Sequence, residues 1–391
     1  MGMVCLSHSQ FEQPLLIQVA DLFGGYTLTF AIVFFASSLL SLPMWTECCE
    51  RKTSWWHTSG AIVSLCIVIA YGQYRLSETI SSDESRRLAI GMIQGSVDTN
   101  LFDRSGELQD KFDQCCELTW QARSAHPGLD LIIWPESNFP IYDVIGPVEN
   151  ENLDEYDAPF EIEKTWRYAT GFPEYFSEPA AMLVGTLGSY EGDQAYNSAA
   201  LISDQGKIET RYFKNHRVMF GEYFPILEWI PAFARVFPNI SAGDKPTIID
   251  FNGVRLAPSI CFETTVPHLI RRHINQLTEE GAEPDVLVNM TNDGWFYGTS
   301  CLDFHLACNV FRAVETRKTN LVCANTGLSA EIDTCGRILQ RGPRRDTQIL
   351  PVQITPQARS SIYRTIGDWI PFGMAICCLI GLVFGWRSRH S

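Results

Sequence analysis

The chain has 391 residues, 46% of them hydrophobic, and its 45 acidic against 30 basic side chains give a formal net charge of −15. That acid excess argues against general affinity for nucleic acid, and the length suits one domain of about 280 residues accompanied by membrane segments. The 13 cysteines follow no small-domain spacing and include the adjacent pairs Cys115-Cys116 and Cys377-Cys378, so they do not read as a disulfide framework.

In chain order, residues 22–46 contain no Asp, Glu, Lys or Arg, and 26–42 are dense in Phe, Leu, Ile and Val. This predicts a membrane-spanning helix over about 24–45. It is not a signal peptide, because no basic stretch precedes it and no small-residue cleavage site follows. A second uncharged stretch, 53–74, has its apolar heart at 61–70 and predicts a span over about 57–74, with a buried core helix as the rival reading. Residues 1–80 thus form a membrane segment, and a third span is expected at 369–386 within a closing segment 366–391. Arg51 and Lys52 lie between the first two spans and Arg387 and Arg389 follow the third. The positive-inside rule therefore places these on the cytoplasmic side and the block from about 75 to 368 on the outer side.

That block alternates strand and helix patterns. Residues 89–94 read as a strand, and 107–124 as a helix with Leu108, Phe112 and Cys115 on one face. The β-leaning run 129–134 leads to Glu136, and 181–186 is another apolar strand. Residues 198–202 pass through Ser203-Asp204-Gln205-Gly206 into Ile208, a hairpin signal. Asn252-Gly253 marks a second tight turn before the run 254–260, which leads to Cys261. Strand 284–289, helix 306–319, and a strand with hairpin over 321–339 complete the pattern of a mixed α/β domain placed at 86–356. No His-x-x-x-His, Cys-x-x-Cys or Gly-rich phosphate loop occurs, so no metal and no cofactor is expected.

Three residues carry the chemistry: Glu136 in Trp134-Pro135-Glu136-Ser137, Lys214 in Tyr212-Phe213-Lys214, and Cys261 in Ser259-Ile260-Cys261-Phe262-Glu263. A thiol is a poor nucleophile until it loses its proton. An acyl-transferring cysteine therefore needs a carboxylate to take that proton and a cation to hold the charge that develops. Singly, each has an ordinary reading: a buried small thiol, a solvated lysine, a Pro-Glu turn.

The order of the three resembles the carbon-nitrogen hydrolase superfamily, and the flanking residues are similar to its membrane branch, the apolipoprotein N-acyltransferases. The segment Tyr212-Phe213-Lys214-Asn215-His216-Arg217-Val218-Met219-Phe220-Gly221-Glu222-Tyr223-Phe224-Pro225 carries the likeness. So do Asn292-Asp293-Gly294-Trp295-Phe296, His305, Arg312-Ala313-Val314-Glu315-Thr316-Arg317 and Asn325-Thr326-Gly327-Leu328-Ser329. The resemblance implies a nitrilase-like α-β-β-α sandwich flanked by transmembrane α-helices. It also implies catalytic roles for Glu136, Lys214 and Cys261, with Glu222, Glu263 and Trp295 in support. For Glu222 and Glu263, ordinary ion pairing with Arg217 or Arg255 is the competing reading.

By the same resemblance, the protein is expected to be a monomer in the cytoplasmic (inner) membrane, its catalytic domain facing the periplasm. It takes an acyl chain from a phospholipid and gives it to a diacylglyceryl lipoprotein. Residues 14–22 resemble the stretch before a late family helix, so the chain is expected to begin part-way through the family pattern, by a shifted gene start or by reduction. This leaves two other readings: a membrane-tethered amidase, and an inactive truncated scaffold. Phe262, Met219 and the inserted Tyr297 depart from the family's usual Tyr, Pro and uninterrupted Trp-Phe-Gly. Two insertions stand out. Residues 142–178, with Glu149, Glu151, Asp154, Glu155, Asp157, Glu161 and Glu163, read as a solvated loop; 223–240, rich in aromatic and aliphatic side chains, read either as an apolar loop for a lipid substrate or as a buried helix.

Overall fold

The computed structural model describes residues 4–40, 51–98, 107–140, 144–145, 162–191, 194–225, 240–369, 372–373, 376 and 379–380. Helices are α1 (Gly25–Leu40), α2 (Arg51–Ser77), α3 (Glu107–Ala125), α4 (Ile162–Thr170), α5 (Pro267–Glu279) and α6 (Cys301–Thr316). Strands are β1 (Leu88–Gln94), β2 (Leu131–Ile133), β3 (Ala181–Glu191), β4 (Gln194–Ile202), β5 (Ile208–Phe213), β6 (Ile249–Phe251), β7 (Val254–Ile260), β8 (Val286–Thr291), β9 (Thr319–Ala324), β10 (Ala330–Ile332), β11 (Ile338–Arg341) and β12 (Gln348–Ile354). Shorter turns and two-residue strands join them.

Two sheets face each other. One runs β12-β1-β2-β3-β4-β5 and the other β11-β10-β9-β8-β7-β6. Each has three parallel strands at its heart, β1-β2-β3 in the first and β7-β8-β9 in the second. Strands buried on both faces favour apolar runs: Leu131–Ile133 is wholly apolar and Val286–Thr291 departs from that only at Asn289 and Thr291, every residue of both being buried. Leu88, Ile90, Leu131, Ile133 and Leu183 of one sheet meet Leu256, Ile260, Val286, Val288 and Leu321 of the other in a shared core. Helices α3 and α4 cover one outer face, and α5 and α6 the other. The α-β-β-α sandwich expected from the sequence is therefore present.

Several boundaries move. Helix α6 starts and stops earlier than expected over 306–319, because Arg317 takes a left-handed conformation (φ 56°) and β-branched Thr319 opens a strand. The acidic insertion is not wholly a loop: Ile162–Thr170 is helical and sinks Trp166 into the outer core, while Glu163 pairs outside with Arg167. The acidic residues at 149–161 lie outside the described residues, as do 226–239 of the apolar insertion, the connection 41–50 and the tail 381–391. Asn252-Gly253 behaves as read, with φ of 51° and 75° closing the β6-β7 hairpin.

Helices α1 and α2 lie against each other and against the second sheet's helical layer. Gly72 of α2 lets the main chain of the amino-terminal segment approach closely, since a Cβ there would sit 1.9 Å from the Leu15 carbonyl oxygen. Among the described residues, one helix, Thr58–Ser77, is long and apolar enough to cross a membrane. Gly25–Leu39 passes the same measure only together with Pro14–Phe23, from which it is bent by 118°. Arg317, with no solvent exposure, joins this layer to the sandwich by donating to Asp21 (2.8 Å) and Gln18 (2.7 Å), and Arg75 pairs with the same Asp21 at 2.8 Å.

Candidate active site

The site lies where the parallel strands of both sheets end. After β2 the Trp134 N–H continues the ladder to the Leu183 carbonyl (2.9 Å), and Pro135 turns the chain outward. Gly185 permits this, since a Cβ there would lie 2.5 Å from the Glu136 Cα. The Glu136 carboxylate, 6% exposed, is held from three sides. It accepts from the Asn292 main-chain N–H (2.9 Å), Asn197 Nδ2 (2.7 Å) and Lys214 Nζ (3.4 Å).

Lys214 follows β5 directly, and its main-chain N–H donates to the Asn197 carbonyl at 2.9 Å. Its ammonium is buried between two carboxylates, donating to Glu222 Oε1 at 2.8 Å as well as to Glu136. Burial disfavours the cation, yet the Glu136 and Glu222 carboxylates hold its pKa above the ordinary lysine value. Lys214 is thus a fixed positive charge. Glu222 pairs with this ammonium and also accepts from Asn197 Nδ2 (3.1 Å) and the Val218 N–H (2.8 Å).

Cys261 directly follows β7 and opens a 3-10 turn, Cys261–Thr265, with φ at 54°. A left-handed non-glycine residue at a strand end is strained backbone held by its surroundings. The thiol is free. Burial pushes its pKa well above the usual value and the Glu136 charge pushes it further, while Lys214 and a hydrogen bond with Thr291 pull it down. The resting group is therefore a thiol that needs a base beside it.

Glu263, completely buried, clips the lysine segment to this turn. Its carboxylate accepts from the Ile260 N–H (2.7 Å), the Asn215 N–H (2.7 Å), the His216 N–H (2.9 Å) and the Tyr212 hydroxyl (2.8 Å). Burial raises its pKa despite those donors. Trp295 sits in the turn Asp293–Phe296 and is 44% exposed, as an apolar wall open to a ligand would be. At the positions that depart from the family pattern, Phe262 stacks on His216 (6.2 Å between centroids), and Tyr297 closes the Trp295 turn at φ 46°.

The structure thus brings Glu136, Lys214, Cys261, Glu222 and Glu263 into one hydrogen-bonded and electrostatic unit. Sequence reasoning missed Asn197, which bridges the carboxylates of Glu136 and Glu222; its signal was a carboxamide in mid-strand, close before the apolar run Ala199–Ile202. A polar cavity of about 1100 Å³ opens elsewhere, at the starting ends of β7 to β9, where Arg255, Asp285 and Lys318 line it. Among the described residues, no group of three or more His, Cys, Asp or Glu could hold a metal ion.

Residues 89–364 match the carbon-nitrogen hydrolase family. The chain is 25% identical to apolipoprotein N-acyltransferase of Rhodopirellula baltica over all of this chain and 75% of that one. It is 29% identical to the Geobacter metallireducens protein of the same name, over 98% of this chain and 70% of that one. Among solved structures it is similar to Saccharomyces cerevisiae Nit3, a member of the nitrilase superfamily, with a TM-score of 0.49 and 16% identity over 71% of this chain and 93% of that one. With the family match extending across most of its length, the chain belongs to the carbon-nitrogen hydrolase family.

Proposed function

We propose that this chain is an apolipoprotein N-acyltransferase that carries its acyl group on Cys261. One observation carries the reading. The likeness to relatives of that name covers 98–100% of the chain, so it includes the helical residues before 89 that the hydrolase family match leaves out.

Glu136 takes the proton from Cys261 Sγ, and the thiolate attacks an ester carbonyl of a phospholipid. The ammonium of Lys214, already fixed, stabilises the oxyanion without having to reorganise. Collapse expels a lysophospholipid alkoxide, which receives the proton from Glu136, and leaves a thioester. The α-amino group of an amino-terminal S-diacylglyceryl-cysteine then attacks. Glu136 takes a proton from the amine and returns it to the departing sulfur, and the product is an amide. Glu222 and Glu263 hold Lys214 and the turn in register, and Trp295 borders the acyl site.

The same reading sets the catalytic domain at 86–356, acting as a monomer beside helices at 24–45, 57–74 and 369–386 in the inner membrane, with the domain on the periplasmic side. The exposed apolar side chains of α1 and α2, among them Phe30, Val33, Ile62, Val63 and Ile67, support it, since water would not favour them.

The test is intact mass spectrometry of detergent-purified protein incubated with phospholipid, beside Cys261→Ala. An acyl-sized gain, removed by hydroxylamine and absent in the variant, is expected. No gain from folded protein would sink the reading, and ammonia release from small amides would replace it with an amidase.

A further inference from the structure

The turn that presents Cys261 is held from below by two side chains that the acyl-transfer chemistry does not use. His305, on α6, places Nε2 at 3.1 Å from the Cys261 carbonyl oxygen. Its other ring nitrogen, Nδ1, lies 2.9 Å and 3.1 Å from the two carboxylate oxygens of Asp293. Asp293 is itself fixed by the Thr291 hydroxyl at 2.8 Å and by Gly327, where a Cβ would sit 2.4 Å from its Oδ2. His305 and Asp293 are only 2% and 3% exposed.

A carbonyl and a carboxylate only accept hydrogen bonds, so a ring that bonds both must donate from both nitrogens. A ring that does so is an imidazolium. We propose that His305, held as an imidazolium by Asp293, is a positioning residue for Cys261. It fixes the main-chain carbonyl of the left-handed nucleophile and cancels the Asp293 charge that would otherwise face the thiol. Asn289 Nδ2 is a second donor to that carbonyl at 3.3 Å, so the oxygen is held from two sides. With the carbonyl pinned, the strained φ of Cys261 persists and Sγ stays aimed past the strand end.

The other charges around the turn are the Glu136 carboxylate beyond β2, the Lys214 ammonium beyond β5 with its partner Glu222, Glu263 within the turn, and Arg312 further along α6. Burial opposes charge on His305, but Asp293 and the Cys261 carbonyl outweigh it and raise its pKa.

The inference rests on Cys261 being the nucleophile, and its test needs no substrate. The rate at which iodoacetamide alkylates Cys261, read by peptide mass spectrometry, is followed against pH in the full chain for the wild type, His305→Gln, and His305→Gln with Asp293→Asn. His305→Gln should move the midpoint up by about one pH unit, because Asp293 is left as an unpaired buried charge beside the thiol. The double variant should return the midpoint to the wild-type value, a rescue that a merely structural role for His305 does not produce. An unmoved midpoint in folded His305→Gln protein overturns the proposal. Should the variants not fold, ring-nitrogen shifts of ¹⁵N-histidine-labelled wild type decide: both nitrogens of His305 protonated at pH 7 support it, and a neutral ring overturns it. A wild type that alkylates at Cys261 yet gains no acyl mass from phospholipid would defeat the acyltransferase reading and leave this one standing.

Discussion

Helices α2 and α6 are built to opposite rules. Helix α2 exposes Ile62, Val63 and Ile67, the last by 61%, whereas α6 buries His305, Asn309, Arg312 and Glu315 almost completely. In water the first would be penalised for its surface. The second would be penalised for its interior if its polar groups were unpaired. Neither arrangement is an error, because each has a partner: α2 has room for an apolar surrounding, and α6 has polar groups placed to meet it. Thr264 and Asn320 meet Asn309 at 3.0 Å, and Arg312 meets Glu315 at 2.7 Å. Burial by itself therefore does not tell core from function; the partner of each polar atom does.

The strongest blow to this contrast would fall on the site that the buried polar side supports. Cys261→Ala should lower acyl transfer by at least about 10³-fold in a phospholipid-to-peptide assay while leaving the thermal transition in place. A variant that kept its activity would separate the polar interior from catalysis altogether. Asn309→Leu should destabilise the fold by about 3 kcal/mol, measured by denaturant unfolding in detergent, since it orphans Thr264, Asn320 and Asn289. Equal stability would mean that the polar lining of α6 is dispensable.

Glu315 sharpens the comparison by pH. Burial lifts its carboxyl to about 7 from the ordinary 4.5, with Arg312 pulling the other way. The folded chain thus keeps a proton that the unfolded chain gives up. Its contribution is complete below pH 4.5 and is lost as pH rises through 7, amounting to at most about 3 kcal/mol. Glu315→Gln should flatten that part of the stability profile in melts at pH 5 and pH 7. The smallest effect belongs to the other helix: Ile67→Gln should change stability in detergent by no more than about 0.5 kcal/mol, because the side chain meets little protein. A larger loss would show that α2 is packed within protein after all.

Much of the sandwich was legible because its central strands are mostly apolar and its turns carry their own chemistry, as at Asn252-Gly253. The site was legible at Glu136, Lys214 and Cys261 because their order and flanking residues resemble one family, with Glu136 and Cys261 also following β-leaning runs. The rest depended on distances that sequence does not encode. Asn197 lies 61 positions from the carboxylate it holds, and His305 lies 44 from the carbonyl it reaches. The end of α6 was misjudged because Arg317, a good helix former, leaves the helix to answer Asp21 some 296 positions away.

That last pairing bears on how the protein can be cut. A fragment taken at the family boundary, residues 89–364, would keep Glu136, Lys214 and Cys261 yet strip Arg317 of Asp21 and Gln18, and Glu315 of the Gly25 N–H it accepts. Breaking such buried pairs on one side costs about 3–5 kcal/mol, a large share of what holds an ordinary domain together. Residues 89–364 are therefore not an independent unit but one side of a joint, and expression designs should retain residues from Gln18 onward.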